Sequence, residues 1–145
     1  MTSTAIINYA GDAMFIGVSP SGHAQAIESD HEQHRAATPL ELLMLALGCC
    51  TAVDVVSILE KKRQHVSDYR VEVRGERRDE DPRSFTKFYV HHIVRGRGIS
   101  SAAVAHAIEL SDTKYCSVAA TVRPAAEIAT SFEIIEEEQT AGDQQ

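Results

Sequence analysis

The chain has 145 residues, with 14 Lys and Arg against 21 Asp and Glu for a formal charge of −7, and this length fits one domain with a real core. Four of the acids, Glu136, Glu137, Glu138 and Asp143, lie in the last ten residues, so most of the charge excess belongs to a tail and no basic field exists for nucleic acid or anionic lipid. A hydrophobic fraction of 43% excludes a disordered chain, and three cysteines, an odd number, exclude a secreted disulfide framework.

The start of the chain lacks a basic segment followed by an apolar one, so cytoplasm is the expected compartment and no membrane partner is expected. Residues 1–136 are expected to form one domain, followed by an acidic, disordered tail over 137–145.

In chain order, Thr4 to Tyr9, Ala13 to Val18 and His23 to Ile27 are short runs parted by Gly11-Asp12 and by Ser19-Pro20-Ser21-Gly22. Those turn signals predict a three-strand antiparallel meander. Thr38-Pro39-Leu40-Glu41 then combines an N-cap Thr, a Pro at the first helical position and a Glu placed to close a capping box. The predicted helix runs to about Arg63.

Between Glu41 and Asp54 this helix has 12 consecutive uncharged residues, Leu42 to Val53. It is apolar around its circumference, so it should be buried on all sides. Asp54 and Lys61-Lys62-Arg63 cut it short of the roughly 20 apolar residues of a membrane span. One small sheet covers only one side of such a rod, so a second copy of the chain is expected to cover the other. Gly48, at mid-helix, is expected to let another backbone approach.

Beyond the helix, Tyr69 to Arg74 alternates strictly and predicts a half-buried strand. Phe85 to Arg95 predicts a second strand after the Asp79-Glu80-Asp81-Pro82 turn. Ser100/Ser101 to Leu110 and Cys116 to Val122 predict helices, and Phe132 to Ile135 a last strand. The order βββα ββ αα β makes the fold α+β with antiparallel sheets.

On the long helix Cys50, Asp54, Ser57 and Lys61 recur at helical spacing and form its one polar stripe. Cys49 is turned about 100° away, among Leu45, Ala46, Ala52, Val53 and Val56, and is expected to be a core thiol with a raised pKa. Cys50 reads either as a second packed thiol above a structural acid or as a reactive one. Cys116 stands at an expected helix start, where free N–H groups and the dipole favour a thiolate; there too a buried structural thiol is the alternative. Asp54 is expected to be bonded to a basic or hydroxyl group, because a bare carboxylate one turn from Cys50 would oppose its ionisation.

Other constellations are poorer. His31-Glu32-Gln33-His34 fixes no third ligand, so no metal is expected there. His91 and His92 fall on opposite strand faces. His23, His65 and His106 are single residues, and no phosphate-cradling glycine pattern occurs.

Three words stand in order along the chain: Thr38-Pro39-Leu40-Glu41-Leu42 with Gly48-Cys49-Cys50 and Asp54-Val55-Val56, then Glu76-Arg77-Arg78 with Pro82-Arg83-Ser84-Phe85-Thr86, then Lys114-Tyr115-Cys116-Ser117-Val118. Together they resemble the OsmC/Ohr family of osmotically induced and organic hydroperoxide resistance proteins, most closely the OsmC-like subgroup. The resemblance implies an OsmC-like fold, an intertwined α+β homodimer with two long helices packed at its centre. It also implies a Cys-based peroxidase needing no cofactor, whose partners are a peroxide substrate and an external dithiol reductant.

By the same resemblance Cys50, four residues before Asp54, takes the peroxidatic place and Cys116 the resolving place. Two features depart from the family pattern. Its activating Arg comes from the N-terminal strands, whereas no Lys or Arg precedes Arg35 here, leaving Arg77, Arg78 and Arg83 as candidate cations. Its acid follows the Pro directly, whereas Leu40 follows Pro39 here and Glu41 comes one later. Nine residues separate Glu41 from Cys50, about 13 Å along a straight helix. The competing class is a non-peroxidatic redox sensor or small-molecule binder of the same fold.

Overall fold

A computed structural model describes residues 1–29 and 32–138. His31 and residues 139–145 of the expected tail therefore lie outside the described residues. The chain divides into two compact units, Met1–Leu43 and a second from Met44 onward.

The first unit holds the meander: β1 (Ile6–Gly11), β2 (Met14–Val18) and β3 (Ala24–Glu28) form an antiparallel sheet in that order. Gly11 turns the first hairpin at φ 86° and Gly22 the second at φ 87°, the left-handed region where only glycine is free of strain. The chain then folds back so that the Glu28 N–H donates to the Ala37 carbonyl at 3.1 Å.

Arg35 fixes this return. Its Nε lies 3.0 Å from Glu28 Oε1 and its Nη1 2.8 Å from Asp12 Oδ2. The backbone amides of Arg35 and Ala36 also donate to Glu28. Burial pushes the Glu28 carboxyl up, but Arg35 and those amides outweigh it and hold it below the ordinary carboxylate range.

The capping box closes as its residues require: the Thr38 N–H donates to Glu41 Oε2 at 2.8 Å, and the Glu41 N–H to Thr38 Oγ1 at 3.4 Å. It starts α1 (Pro39–Lys61), which is long and apolar enough by length and composition to cross a bilayer.

In the second unit α1 lies instead against a three-stranded sheet, β4 (His65–Arg77), β5 (Phe85–Arg97) and β6 (Glu127–Glu136), with β5 in the middle. Alternation along β5 buries Phe88, Val90, His92 and Val94 on one face. Val55 and Leu59 of α1 meet Val94 and, from α2 (Ser101–Leu110), Val104, Ala107 and Ile108 in one core cluster.

Two sequence expectations change here. β6 runs parallel to β5, so this sheet is mixed and not antiparallel throughout; parallel neighbours need a long crossover, which α2 and α3 (Ser117–Val122) supply. Gly48 serves the chain's own sheet: a Cβ there would stand 2.8 Å from Val73 Cγ2 of β4. The opposite face of α1 is open, with Leu45 63% and Val53 64% exposed, so within one chain the helix is buried on one side only.

Candidate active site

The middle of α1 carries Cys50 and Asp54, both half-buried, with Thr51 and Val55 buried beside them. The facing wall comes from the junction of α2 and α3. There α2 does not simply stop; it widens into a π-helical turn, Ser111–Tyr115, in which the Cys116 N–H donates to the Ser111 carbonyl at 2.8 Å. Such turns add a residue to the helical repeat and rotate the succeeding residues around the axis. Here the turn presents Ser111 and Cys116 to α1 together.

Ser111 is fully buried. Its hydroxyl donates to Asp54 Oδ2 at 2.9 Å and stands 3.0 Å from Thr51 Oγ1. Asp54 thus has the hydroxyl partner that its place one turn from a thiol requires. Neither Ser111 nor Thr51 stood out in the sequence. Thr51 precedes Asp54 by three residues and so shares its face, which is a usable signal; the π turn that delivers Ser111 has none.

Cys116 is the N-cap of α3, and its sulfur accepts the Ala119 N–H at 3.3 Å. Of the two readings of Cys116, its surroundings favour the buried thiol. Burial pushes this thiol up to about 11, the Ala119 N–H opposes it, and Cys50 and Asp54 add smaller contributions to the rise. Cys116 is therefore protonated at neutral pH. Cys50 thus lies close enough to Cys116 to act on its ionisation, and both are free thiols. Cys49, expected in the core, is exposed within the single chain, on the open face with Leu45 and Val53.

The candidate cations lie at the β4–β5 turn. Arg77 Nε donates to the Arg83 carbonyl at 2.6 Å with its guanidinium toward the Phe85 ring, Arg83 stands 3.7 Å from Asp81, and the Arg78 amide donates to Ser84. The groups acting on Cys116 are Ala119, Cys50 and Asp54, and no cation is among them. Glu41 spends one oxygen on its capping box.

Of the histidines, His91 faces outward to Ser131 and Glu133, while His92 is fully buried, with Nδ1 2.5 Å from the Tyr69 hydroxyl and Nε2 without a partner. Burial, with His91 adding to it and Asp112 opposing, lowers His92 to about 4. Among the described residues no three His, Cys, Asp or Glu side chains cluster as a metal site would need.

Beside Asp54 opens a cleft of about 430 Å³ with apolar walls from Val53, Ile58, Leu110 and Tyr115 and polar ones from Asp54, Ser57, Lys61, Lys62 and His106. That volume lies in the range of small-molecule sites. Chemically, the arrangement offers a half-buried thiol, a buried thiol that it acts on, and a cleft of mixed apolar and polar lining beside Asp54.

Comparison with known proteins agrees with this architecture. The family model for OsmC-like proteins matches residues 30–131. Protein YhfA of Escherichia coli K12 is 44% identical over 131 residues, covering 90% of this chain and 97% of its own. A hypothetical protein from Aquifex aeolicus VF5 superposes with a TM-score of 0.84 at 29% identity, over 95% of this chain and 99% of that one. The organic hydroperoxide resistance protein OsmC of Legionella pneumophila shares the fold at a TM-score of 0.67 and 12% identity, over 92% and 97% of the two chains.

Proposed function

Because the chain belongs to the OsmC-like protein family, and an organic hydroperoxide resistance protein shares its fold, we propose that it is a Cys-based peroxidase reducing organic hydroperoxides and hydrogen peroxide. What supports this reading is that half-buried Cys50 lies close enough to buried Cys116 to act on its ionisation, with both thiols free.

The Cys50 thiolate attacks the distal peroxide oxygen; an S–O bond forms, the O–O bond breaks, and the electron pair leaves with the alkoxide, which takes a proton. Peroxide is reduced to alcohol and Cys50 is oxidised to sulfenic acid. Cys116 then attacks the Cys50 sulfur, water leaves, and a disulfide results. An external dithiol reduces it by exchange. The apolar walls of the cleft beside Asp54 suit organic substrates, and three unpaired thiols suit the reducing cytoplasm.

A second copy of the chain covers the open face of α1 in this reading. Light scattering should show a dimer that Val53→Glu converts to monomer; a monomeric wild type would remove the dimer from the proposal.

The second reading is a redox sensor or small-molecule binder, favoured by the engagement of Arg77 and Arg83 with each other and with Asp81 at the β4–β5 turn. The deciding experiment is peroxide consumption with a dithiol reductant. Cys50→Ser should abolish it, Cys116→Ser should stop recycling after one turnover, and Cys49→Ser should leave it unchanged. Equal activity in all four proteins would end the enzymatic reading.

A further inference from the structure

We propose that Thr51, Ser111 and Asp54 form a proton path for the buried thiol of Cys116, entered through one water molecule held between that thiol and Thr51. The path deepens the peroxidase reading, and its use in turnover rests on that reading.

The order of the hydroxyls follows from counting protons. Ser111 Oγ lies 2.9 Å from Asp54 Oδ2 and 3.0 Å from Thr51 Oγ1, and a hydroxyl has one proton to give. A carboxylate can only accept, so the Ser111 proton goes to Asp54 and the Thr51 hydroxyl donates to Ser111. Thr51 Oγ1 is then free to accept on its other side. Both hydroxyls are buried, so bulk water does not compete within the chain of bonds.

On that other side lies a cavity lined by Thr51 and Cys116 together with Asp112, Thr130, Leu47 and Val90. It leaves about 10 Å³ to the centre of a water-sized molecule, room for one. Thr51, Cys116, Asp112 and Thr130 supply the polar partners that a buried water requires. The Cys116 sulfur accepts the Ala119 N–H at 3.3 Å, which leaves its S–H to the cavity, and at 3% exposure the thiol scarcely touches bulk solvent. Asp112 is the other acid at the cavity. Its Oδ1 lies 2.6 Å from the Arg123 guanidinium, which makes it the poorer proton acceptor.

At its outer end the path reaches the cleft that Asp54 lines. Every bond runs one way: Cys116 S–H to water, water to Thr51, Thr51 to Ser111, Ser111 to Asp54. One step by each proton frees the sulfur of its proton and leaves a proton on the Asp54 carboxyl. Burial holds the Cys116 thiol up at about 11, so its sulfur needs such an acceptor before it can attack. In turnover the Cys116 thiolate bonds to the Cys50 sulfur and the S–O bond of the sulfenic acid breaks. The departing hydroxide takes the proton from Asp54, which lies one turn after Cys50 on the same face of α1. One thiol and one sulfenic acid become one disulfide and one water, and Asp54 ends as it began.

The test needs no peroxide. In a Cys49→Ser, Cys50→Ala protein Cys116 is the one thiol, and exchange of its S–H for S–D after transfer to heavy water is followed by the infrared S–H stretch. Thr51→Val, close in shape but without the hydroxyl, should slow this exchange by about a hundredfold, the lower end of what a positioned proton-transfer group contributes. Thr51→Ser should stay within about threefold of the parent. Asp54→Asn, which still accepts from Ser111 but is no base, should slow exchange more than Asp112→Asn does. The Ala119 N–H is bonded to the same sulfur, so its exchange, followed by NMR, reports opening of the N-cap and should be alike in all five proteins. Equal S–H rates in Thr51→Val and parent, equal losses in Thr51→Val and Thr51→Ser, an S–H rate that moves with the Ala119 N–H, or a loss in Asp112→Asn as large as in Asp54→Asn would each overturn the proposal. If exchange follows the path while the wild type consumes no peroxide, the path stands and the peroxidase reading alone fails.

Discussion

The Ser111 hydroxyl stands 2.9 Å from Asp54 Oδ2 and ties the end of α2 to the middle of α1. Both sulfurs flank this bond, Cys50 one turn before Asp54 on the helix and Cys116 at the end of the π turn that Ser111 begins. One contact therefore joins the two elements that carry the thiols and occupies the carboxylate one turn from Cys50.

Ser111→Ala removes that hydroxyl from a fully buried position and leaves Asp54 and Thr51 without it. Stability in urea should fall by about 1–3 kcal/mol. Peroxide reduction should slow as well, because the uncapped carboxylate opposes a thiolate at Cys50. An unchanged denaturation midpoint would show that the contact carries no weight.

His92 predicts an acid-side loss of stability. Its folded-state value is lowered to about 4 from the ordinary 6.5, so between those values the unfolded chain binds more protons than the folded one. The contribution is complete above pH 6.5 and declines as pH falls toward 4, by at most about 3 kcal/mol. His92→Gln keeps an acceptor for the Tyr69 hydroxyl and should flatten the slope in that window. Denaturation midpoints measured at half-unit steps from pH 4 to 7 check this; parallel profiles for variant and wild type would contradict it.

Arg35→Met should lower the melting temperature at pH 7 by several degrees, since Glu28 would keep its two backbone donors and lose its guanidinium in a fully buried place. Glu28 titrates below 4.5 in the folded chain, so its stabilisation is present above that pH and is lost as pH falls through the folded value. The gap between variant and wild type should narrow in acid. Scanning calorimetry at pH 7 and pH 3.5 measures both, and a gap that widens in acid would refute the assignment.

Much of the fold was legible because it is locally encoded. Thr38, Pro39 and Glu41 start α1 with their own atoms, and the alternation along β5 is the face that packs. The long helix was legible as apolar all round, while its relation to the rest was not: Gly48 fits Val73, a partner distant in sequence. The direction of β6 depends on the crossover before it and leaves no mark within Phe132 to Ile135.

At the site, helical spacing picked out Cys50 and Asp54. It could not supply Ser111, because a π turn is decided by what α2 and α3 pack against. At Cys116 the sequence left a thiolate and a buried thiol both open for a related reason. A helix start favours a thiolate, but burial by chain segments far away in sequence outweighs one N–H.

The parallel pairing of β5 with β6 has a consequence for how the thiol pair comes into being. The segment bearing Cys116 is the strap between those strands, made after β5 and held once β6 has docked. During synthesis Cys50 emerges well before Cys116, so in the proposed cycle a sulfenic acid formed at that position lacks its resolving thiol until the strap closes. The incomplete chain is thus the form most open to irreversible oxidation.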